Sequence, residues 1–146
     1  MLIQRMSAVF GRLRNETLQL QDGLNIIEAP NETGKSTWCA FLTAMLYGIN
    51  SRERDKAGFI ADKNRYAPWD GSSMEGAIDL IWNGRAVTIE RRSQGRTPMG
   101  VFRAYETESG TPVPELTAEN CGRTLCGAER SVFERTAFVR QLGMAV

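Results

Sequence analysis

The stretch Ala29-Pro30-Asn31-Glu32-Thr33-Gly34-Lys35-Ser36-Thr37 decides the fold, because from its second position onward it matches the Walker A pattern. The apolar run at residues 24–27, just before it, is typical of a strand that is buried on both faces. After it, apolar residues recur at helical spacing, at Trp38, Phe41, Leu42, Met45 and Leu46. A strand, a loop and a helix in this order predict a phosphate-binding loop.

The residue types in this loop suit a phosphate chain. A helix N-terminus has unpaired N–H groups and about half a positive charge, so it attracts anions. The backbone from Asn31 to Lys35 can surround an anion with N–H groups, and Gly34 permits a close approach. Lys35 supplies a mobile positive charge for the β- and γ-phosphates. Ser36 supplies a hydroxyl ligand for Mg²⁺, and Thr37 is expected at the α-phosphate.

The rest of the chain predicts antiparallel strands and a few short helices. Asn83-Gly84 separates two alternating runs, which is the strongest short signal of a β-hairpin with a type I′ turn. The strands expected are residues 2–9, 16–20, 76–82, 85–91 and 101–107. The helix after the Walker A segment should end at Gly48. Further helices are expected at residues 116–125, with Thr117 as a cap, and at residues 129–133.

Residues 50–73 form a long polar connection, and such connections in compact domains are usually functional or mobile. The connection contains the segment Tyr66-Ala-Pro-Trp69, in which two aromatic residues flank a proline. We expect both rings to anchor the connection to the body of the domain. The alternative is that they form a platform for a ligand.

Composition excludes several classes of protein. A chain of 146 residues with 42% hydrophobic and 24% charged residues has the make-up of a single globular domain. No apolar stretch approaches the length of a membrane span, and the N-terminus does not resemble a secretory signal. The absence of histidine rules out Ser-His-Asp and Cys-His catalysis. Three cysteines, an odd number, favour reduced thiols and a cytoplasmic location.

The net charge is only +1, but positive charge is concentrated in one part of the sequence. Five arginines and a single acidic residue, Glu90, lie between Arg85 and Arg103. The favoured interpretation is a solvated hairpin face. The alternative is a surface for a partner or a nucleic-acid backbone, in which case neutralising Arg91, Arg92 and Arg96 should weaken DNA binding.

Three segments resemble the N-terminal part of SMC-like ATPase heads. They are Phe-Gly-Arg-Leu at residues 10–13, Gly-Leu-Asn-Ile-Ile at residues 23–27, and the Walker A segment. The resemblance is to AAA-family ATPases of the YhaN-like and SbcC-like kinds, relatives of RecF and RecN. Phe138-Val139-Arg140-Gln141 resembles the Q-loop of these heads. The resemblance implies an α/β P-loop NTPase fold of the ABC type, with a mixed sheet beside the P-loop helix and an antiparallel β subdomain.

The resemblance also implies ATP and Mg²⁺ as ligands and assigns roles to individual residues. Lys35 and Gln141 would be catalytic, and Gln141 would sense the γ-phosphate through Mg²⁺ or the attacking water. Ser36 and Gln141 would be the metal ligands. The residues expected at the nucleotide are Arg12, Pro30, Asn31, Glu32, Thr33, Gly34, Lys35, Ser36 and Thr37.

The sequence departs from the family pattern in several ways. Ala29 replaces the first glycine, and the chain has no Walker B run ending in Asp-Glu, no Ser-Gly-Gly signature motif and no switch histidine. We therefore expect residues 1–146 to be an N-terminal nucleotide-binding lobe whose C-terminal lobe and coiled coil lie outside this chain. On this hypothesis the lobe binds ATP and hydrolyses it only weakly by itself.

Partners and alternatives follow from the same hypothesis. In the whole protein, ATP would join two heads, and hydrolysis would release them to control contact with DNA in repair or chromosome metabolism. No membrane partner is expected. Two other functions stay open at this point: a stand-alone regulatory module that binds nucleotide without turnover, and a small-molecule kinase of the P-loop class.

Overall fold

The computed structural model describes residues 1–27 and 35–138. Within these residues the strands are β1 (Leu2–Phe10), β2 (Leu13–Gln19), β3 (Glu75–Trp82), β4 (Arg85–Gln94) and β5 (Thr97–Glu106). The helices are α1 (Lys35–Tyr47), α2 (Asp62–Arg65), α3 (Cys121–Cys126) and α4 (Arg130–Thr136). The long connection between α1 and β3 contains the single turn of α2 and an isolated β-bridge between Lys56 and Phe59.

The five strands form one sheet in the order β2-β1-β3-β4-β5. β3 lies beside β1, with Ser7 opposite Ala77 and Met6 opposite Ile78. The strands expected before the Walker A segment and those expected after residue 75 are therefore parts of a single sheet. Every pairing among the described strands is antiparallel. The described residues thus form the antiparallel part of the expected fold, but not its mixed sheet.

The β3–β4 hairpin confirms the prediction made from Asn83-Gly84. Asn83 has φ 50° and Gly84 has φ 75°, so both central residues of the turn adopt the left-handed backbone that a type I′ turn requires. β5 begins at Thr97, earlier than the sequence indicated, because the chain reverses at Gly95 and pairs Thr97 with Gln94.

Helix α1 packs on one face of the sheet and begins and ends as predicted. Phe41 and Met45 are fully buried, and the ring of Phe41 meets that of Phe10 edge-on with centroids 5.6 Å apart. The helix can approach the sheet because Gly76 has no side chain: a Cβ there would lie 2.3 Å from the ring of Phe41. Gly48, with φ 79°, ends the helix.

The prediction of a buried strand at residues 24–27 is wrong for this structure. Leu24 is 89% exposed and Ile26 is 76% exposed, and neither belongs to a strand. The side chain of Asn25 exchanges hydrogen bonds with the backbone of Gln21, which forms a loop instead. An apolar run is buried only where another element packs on it. Among the described strands, none pairs with this run.

Two short helices close the end of the core near the C-terminus of α1. α3 begins at Cys121, later than expected, because the hydroxyl of Thr117 accepts the N–H of Asn120 in a preceding turn. α4 confirms the helix expected near residue 130. The hydroxyl of Tyr47 donates to the carbonyl of Ala128 at 2.7 Å, and burial raises the pKa of Tyr47 to about 12.

None of the helices within residues 1–27 and 35–138 has the length and apolarity that a bilayer crossing needs.

Candidate functional site

The first turn of α1 carries the described part of the predicted phosphate site. Lys35 and Ser36 are its first two residues, and both are exposed to solvent. This turn contains no acidic residue, so nothing within it opposes the positive end of the helix dipole. Thr37 is buried. The other predicted residues of the loop lie outside the described residues: Pro30, Asn31, Glu32, Thr33 and Gly34.

A cleft of about 740 Å³ runs beside this end of α1. Lys35 and Ser36 line one side of it, and residues of α2 and α4 line the other. Arg130 of α4 donates to Glu134 at 2.9 Å and to Asp62 of α2 at 3.3 Å. Both carboxylates in the wall are therefore paired with a guanidinium, which limits their repulsion of an anion in the cleft.

The chain that leads to the predicted Q-loop enters the same cleft. Phe138 lines it, and the ring of Phe138 packs edge-on against Phe133 of α4 at 5.3 Å. Gln141 follows three residues later in the sequence and lies outside the described residues. The cleft is thus bordered both by the start of the Walker A helix and by the segment that precedes Gln141.

The turn between β1 and β2 lies against the start of α1. Gly11 has φ 56°, and a Cβ on it would lie 3.3 Å from the methyl carbon of Thr37. The N–H of Gly11 also donates to the carbonyl of Tyr66 at 2.7 Å. The turn is therefore held between α1 and the long connection, and it carries Arg12, which the resemblance had implied at the nucleotide.

The two aromatic residues of the long connection behave differently. Tyr66 stacks on Phe10 with ring centroids 4.8 Å apart and rings tilted by 16°, which confirms it as an anchor. Trp69 is 69% exposed, so the expectation of a second anchor is wrong. The guanidinium of Arg12 lies 5.3 Å from the centroid of the Trp69 ring, within the range of a cation–π contact. The alternative interpretation, a platform for a ligand, stays a prediction for this ring.

The turn that carries Trp69 is well defined by hydrogen bonds. The N–H of Gly71 donates to the carbonyl of Pro68 at 3.2 Å, and a carboxylate oxygen of Asp70 accepts the N–H of Ser72 at 2.9 Å. Hydrogen bonds from the side chain and backbone of Ser72 lower the pKa of Asp70. Proline before Trp69 and Asp-Gly after it are the sequence signals that place this residue at a turn rather than in the core.

The arginine cluster is not one surface. Arg91 is 3% exposed, and its Nε donates to the carbonyl of Met45 at 2.7 Å. One Nη donates to the carbonyl of Ala118 at 2.9 Å, and burial lowers the pKa of Arg91. The hypothesis that Arg91 contacts a nucleic acid is therefore wrong, because its side chain is buried and already donates hydrogen bonds to backbone carbonyls.

The remaining arginines of the cluster mostly fit the solvated face that the sequence favoured. Arg85 forms ion pairs with Glu106 and Glu115, at 3.1 and 2.8 Å. Arg103 pairs with Glu90 at 3.4 Å. Arg92 is exposed and, with Arg103, borders a groove of about 360 Å³ on the sheet face opposite α1.

Comparison with known proteins gives one family for this arrangement. A family model described as an AAA domain matches residues 1–138, which include the Walker A segment, Arg12 and the whole described sheet. Among curated proteins no relative matches the chain.

Proposed function

The chain belongs to the AAA-domain family, and on this premise we propose that it is the N-terminal nucleotide-binding lobe of an SMC-like ATPase head of the ABC type. The family consists of nucleotide-binding, ATPase-like domains that generally bind ATP with Mg²⁺. The observation that carries the proposal is the start of α1: Lys35 and Ser36 are exposed, side by side, at the N-terminus of a helix that borders a cleft.

The side chains present fit a magnesium-bound triphosphate. The helix N-terminus and Lys35 offer positive charge to the phosphates, and the hydroxyl of Ser36 is the kind of hard oxygen ligand that Mg²⁺ accepts. Mg²⁺ supplies neutralisation of phosphate charge when it is bound. On this proposal, Pro30, Asn31, Glu32, Thr33, Gly34 and Thr37 complete the cradle through their backbone or hydroxyl groups, and Arg12 approaches from the β1–β2 turn.

Gln141 is proposed to sense the γ-phosphate from the other side of the cleft, as metal ligand and catalytic residue. The position of Phe138 in the wall of the cleft supports this role, since it brings the preceding chain to the site. Phosphoryl transfer to water depends mainly on positioning and charge stabilisation. The sequence has no Walker B acid to position the water. We therefore expect this lobe to bind ATP and to hydrolyse it only weakly by itself.

The exposed run at residues 24–27 favours an incomplete head over a stand-alone regulatory module. Leu24 and Ile26 offer an apolar surface of the kind that a further strand or lobe would cover. On the proposal this cover is the C-terminal lobe, and ATP then joins two such heads in a dimer that acts in DNA repair or chromosome metabolism. If such a head contacts DNA, binding should fall steeply with salt and should weaken when the exposed Arg92 and Arg96 are neutralised.

A small-molecule kinase is not favoured. Kinase-like P-loop folds extend a parallel sheet through repeated strand–helix–strand units. In this protein the described part of the chain continues from α1 into an antiparallel hairpin and a third antiparallel strand instead.

Calorimetric titration with Mg-ATP tests the proposal directly. Lys35→Ala should weaken binding by at least about tenfold, since a charge-assisted phosphate contact is lost. Ser36→Ala should remove most of the difference between affinities measured with Mg²⁺ and with chelator. The matched control is Lys56→Ala, an exposed lysine in the long connection, and it should bind as the parent does. Equal affinity in the Lys35→Ala and Lys56→Ala variants would refute the assigned site.

A further inference from the structure

Trp69 is exposed although its surroundings are ordered. It sits at the tip of the hydrogen-bonded turn from Pro68 to Gly71, three residues after an anchored tyrosine. An indole ring is costly to leave in water, and tryptophan is enriched among the residues that dominate contacts at protein binding sites. Nothing in the packing of the described core depends on this ring, since it is 69% exposed.

The position of Trp69 relates it to the start of α1. One turn, Gly11-Arg12, links the two: a Cβ on Gly11 would lie 3.3 Å from the methyl carbon of Thr37, and the guanidinium of Arg12 lies over the indole ring. The hydrogen bond from Gly11 to Tyr66 fixes the long connection against the same turn. The start of the helix and the exposed ring therefore both lie close to the Gly11-Arg12 turn.

We propose that Trp69, backed by Arg12, is the platform on which the base of the bound nucleotide stacks. The inference rests on the proposed function, because it names what holds the other end of the same ligand. Arg12 covers part of the ring, and the exposed remainder offers an apolar, polarisable surface that matches the flat face of a base. Arg12 joins the two halves of the site, since its neighbour contacts the phosphate-binding helix while its guanidinium orients the indole.

Stacking on the base has a consequence that a contact with the phosphates does not share. Every base has a π-face, so a stacking platform adds affinity with little discrimination among bases. The platform should therefore contribute to ATP and GTP alike, and it should contribute nothing to a ligand that has phosphates but no base. This difference separates the role of Trp69 from that of Lys35.

The experiment is a titration of the full chain with Mg-ATP and, separately, with Mg-tripolyphosphate, which lacks base and sugar. Trp69→Ala and Trp69→Leu should each weaken ATP binding by about tenfold, the typical worth of one stacked base. Trp69→Phe should keep most of the affinity because it keeps an aromatic face. The matched control is Phe59→Ala, another exposed aromatic residue in the same connection, and it should change nothing. Tripolyphosphate should bind all of these variants equally.

Each other outcome decides against the platform. If Trp69→Ala weakens ATP and tripolyphosphate by the same factor, the ring supports the fold of the site and not the base. If it leaves ATP binding unchanged, or if Trp69→Leu binds as well as Trp69→Phe, stacking is excluded; a change confined to self-association would assign the ring to a protein contact. If the parent chain binds tripolyphosphate and ATP equally while Lys35→Ala binds neither, only the platform fails. If the parent binds neither ligand, the proposed function fails with it.

Discussion

At the scale of single residues, Arg91 shows that a charged side chain can occupy a core position. It follows the fully buried Val87 and Ile89 at intervals of two residues along β4, so all three lie on the inner face of the strand. Its guanidinium meets the carbonyls of Met45 and Leu46 in the last turn of α1, where a cation is favoured by the helix dipole. The period of two would have indicated this burial, whereas the charge of the cluster indicated a surface position.

Arg91→Met should therefore destabilise the protein by about 2–4 kcal/mol, because it leaves buried carbonyls without a donor. Arg92→Met is the matched control: the neighbouring residue is exposed, and its loss should change the free energy of unfolding by less than about 0.5 kcal/mol. Urea denaturation followed by circular dichroism measures both. Similar stabilities for the two variants would mean that the hydrogen bonds of Arg91 do not hold α1 to the sheet.

At the scale of elements, the sequence predicts what is local and misses what depends on distant partners. The helical spacing after Lys35 and the Asn83-Gly84 turn each determine one element within a few residues, and both predictions are confirmed. The pairing of β1 with β3 joins residues about seventy positions apart, and no local pattern encodes it. The run at residues 24–27 has the composition of a buried strand, but composition does not tell whether a partner is present.

The candidate site divides in the same way. Lys35 and Ser36 could be found from the motif, because the order of strand signal, loop and helix is local and the chemistry of each residue type is known. The placement of Arg12 beside Trp69 could not, since it arises from the contact of the β1–β2 turn with a connection more than fifty residues away. Tertiary contacts of this kind are visible only in the folded chain.

The contact between α1 and the sheet gives the prediction at this scale. Gly76→Ala places a Cβ 2.3 Å from the ring of Phe41, so the helix must shift, and the variant should lose about 1–3 kcal/mol of stability. The double variant Gly76→Ala/Phe41→Leu should lose less stability than the two single variants lose together, because the smaller side chain at position 41 relieves the clash. A denaturant-based double-mutant cycle measures this coupling. Strict additivity would show that helix and sheet separate without cost at this point.

At the scale of the whole molecule, burial is uneven. One face of the sheet is covered by α1 and the short helices, and its inward side chains are almost fully buried. By contrast, the run that leads from the sheet toward the Walker A segment exposes Leu24, Ile26 and Ile27 to solvent. These side chains contribute little to the stability of the chain by itself, because exposed apolar groups gain nothing on folding. Burying these side chains against another surface would stabilise that contact, because it removes apolar area from water.

The double variant Leu24→Ser/Ile26→Ser should therefore change the free energy of unfolding by less than about 0.5 kcal/mol, whereas Leu80→Ala, at a fully buried position, should cost about 2–5 kcal/mol. The same double variant should reduce self-association of the chain, because it removes the exposed apolar surface. Urea denaturation and sedimentation velocity on the same preparations measure the two effects. A stability loss comparable to that of Leu80→Ala would mean that residues 24–27 pack within the folded chain. The proposed docking surface for a further lobe would then be lost.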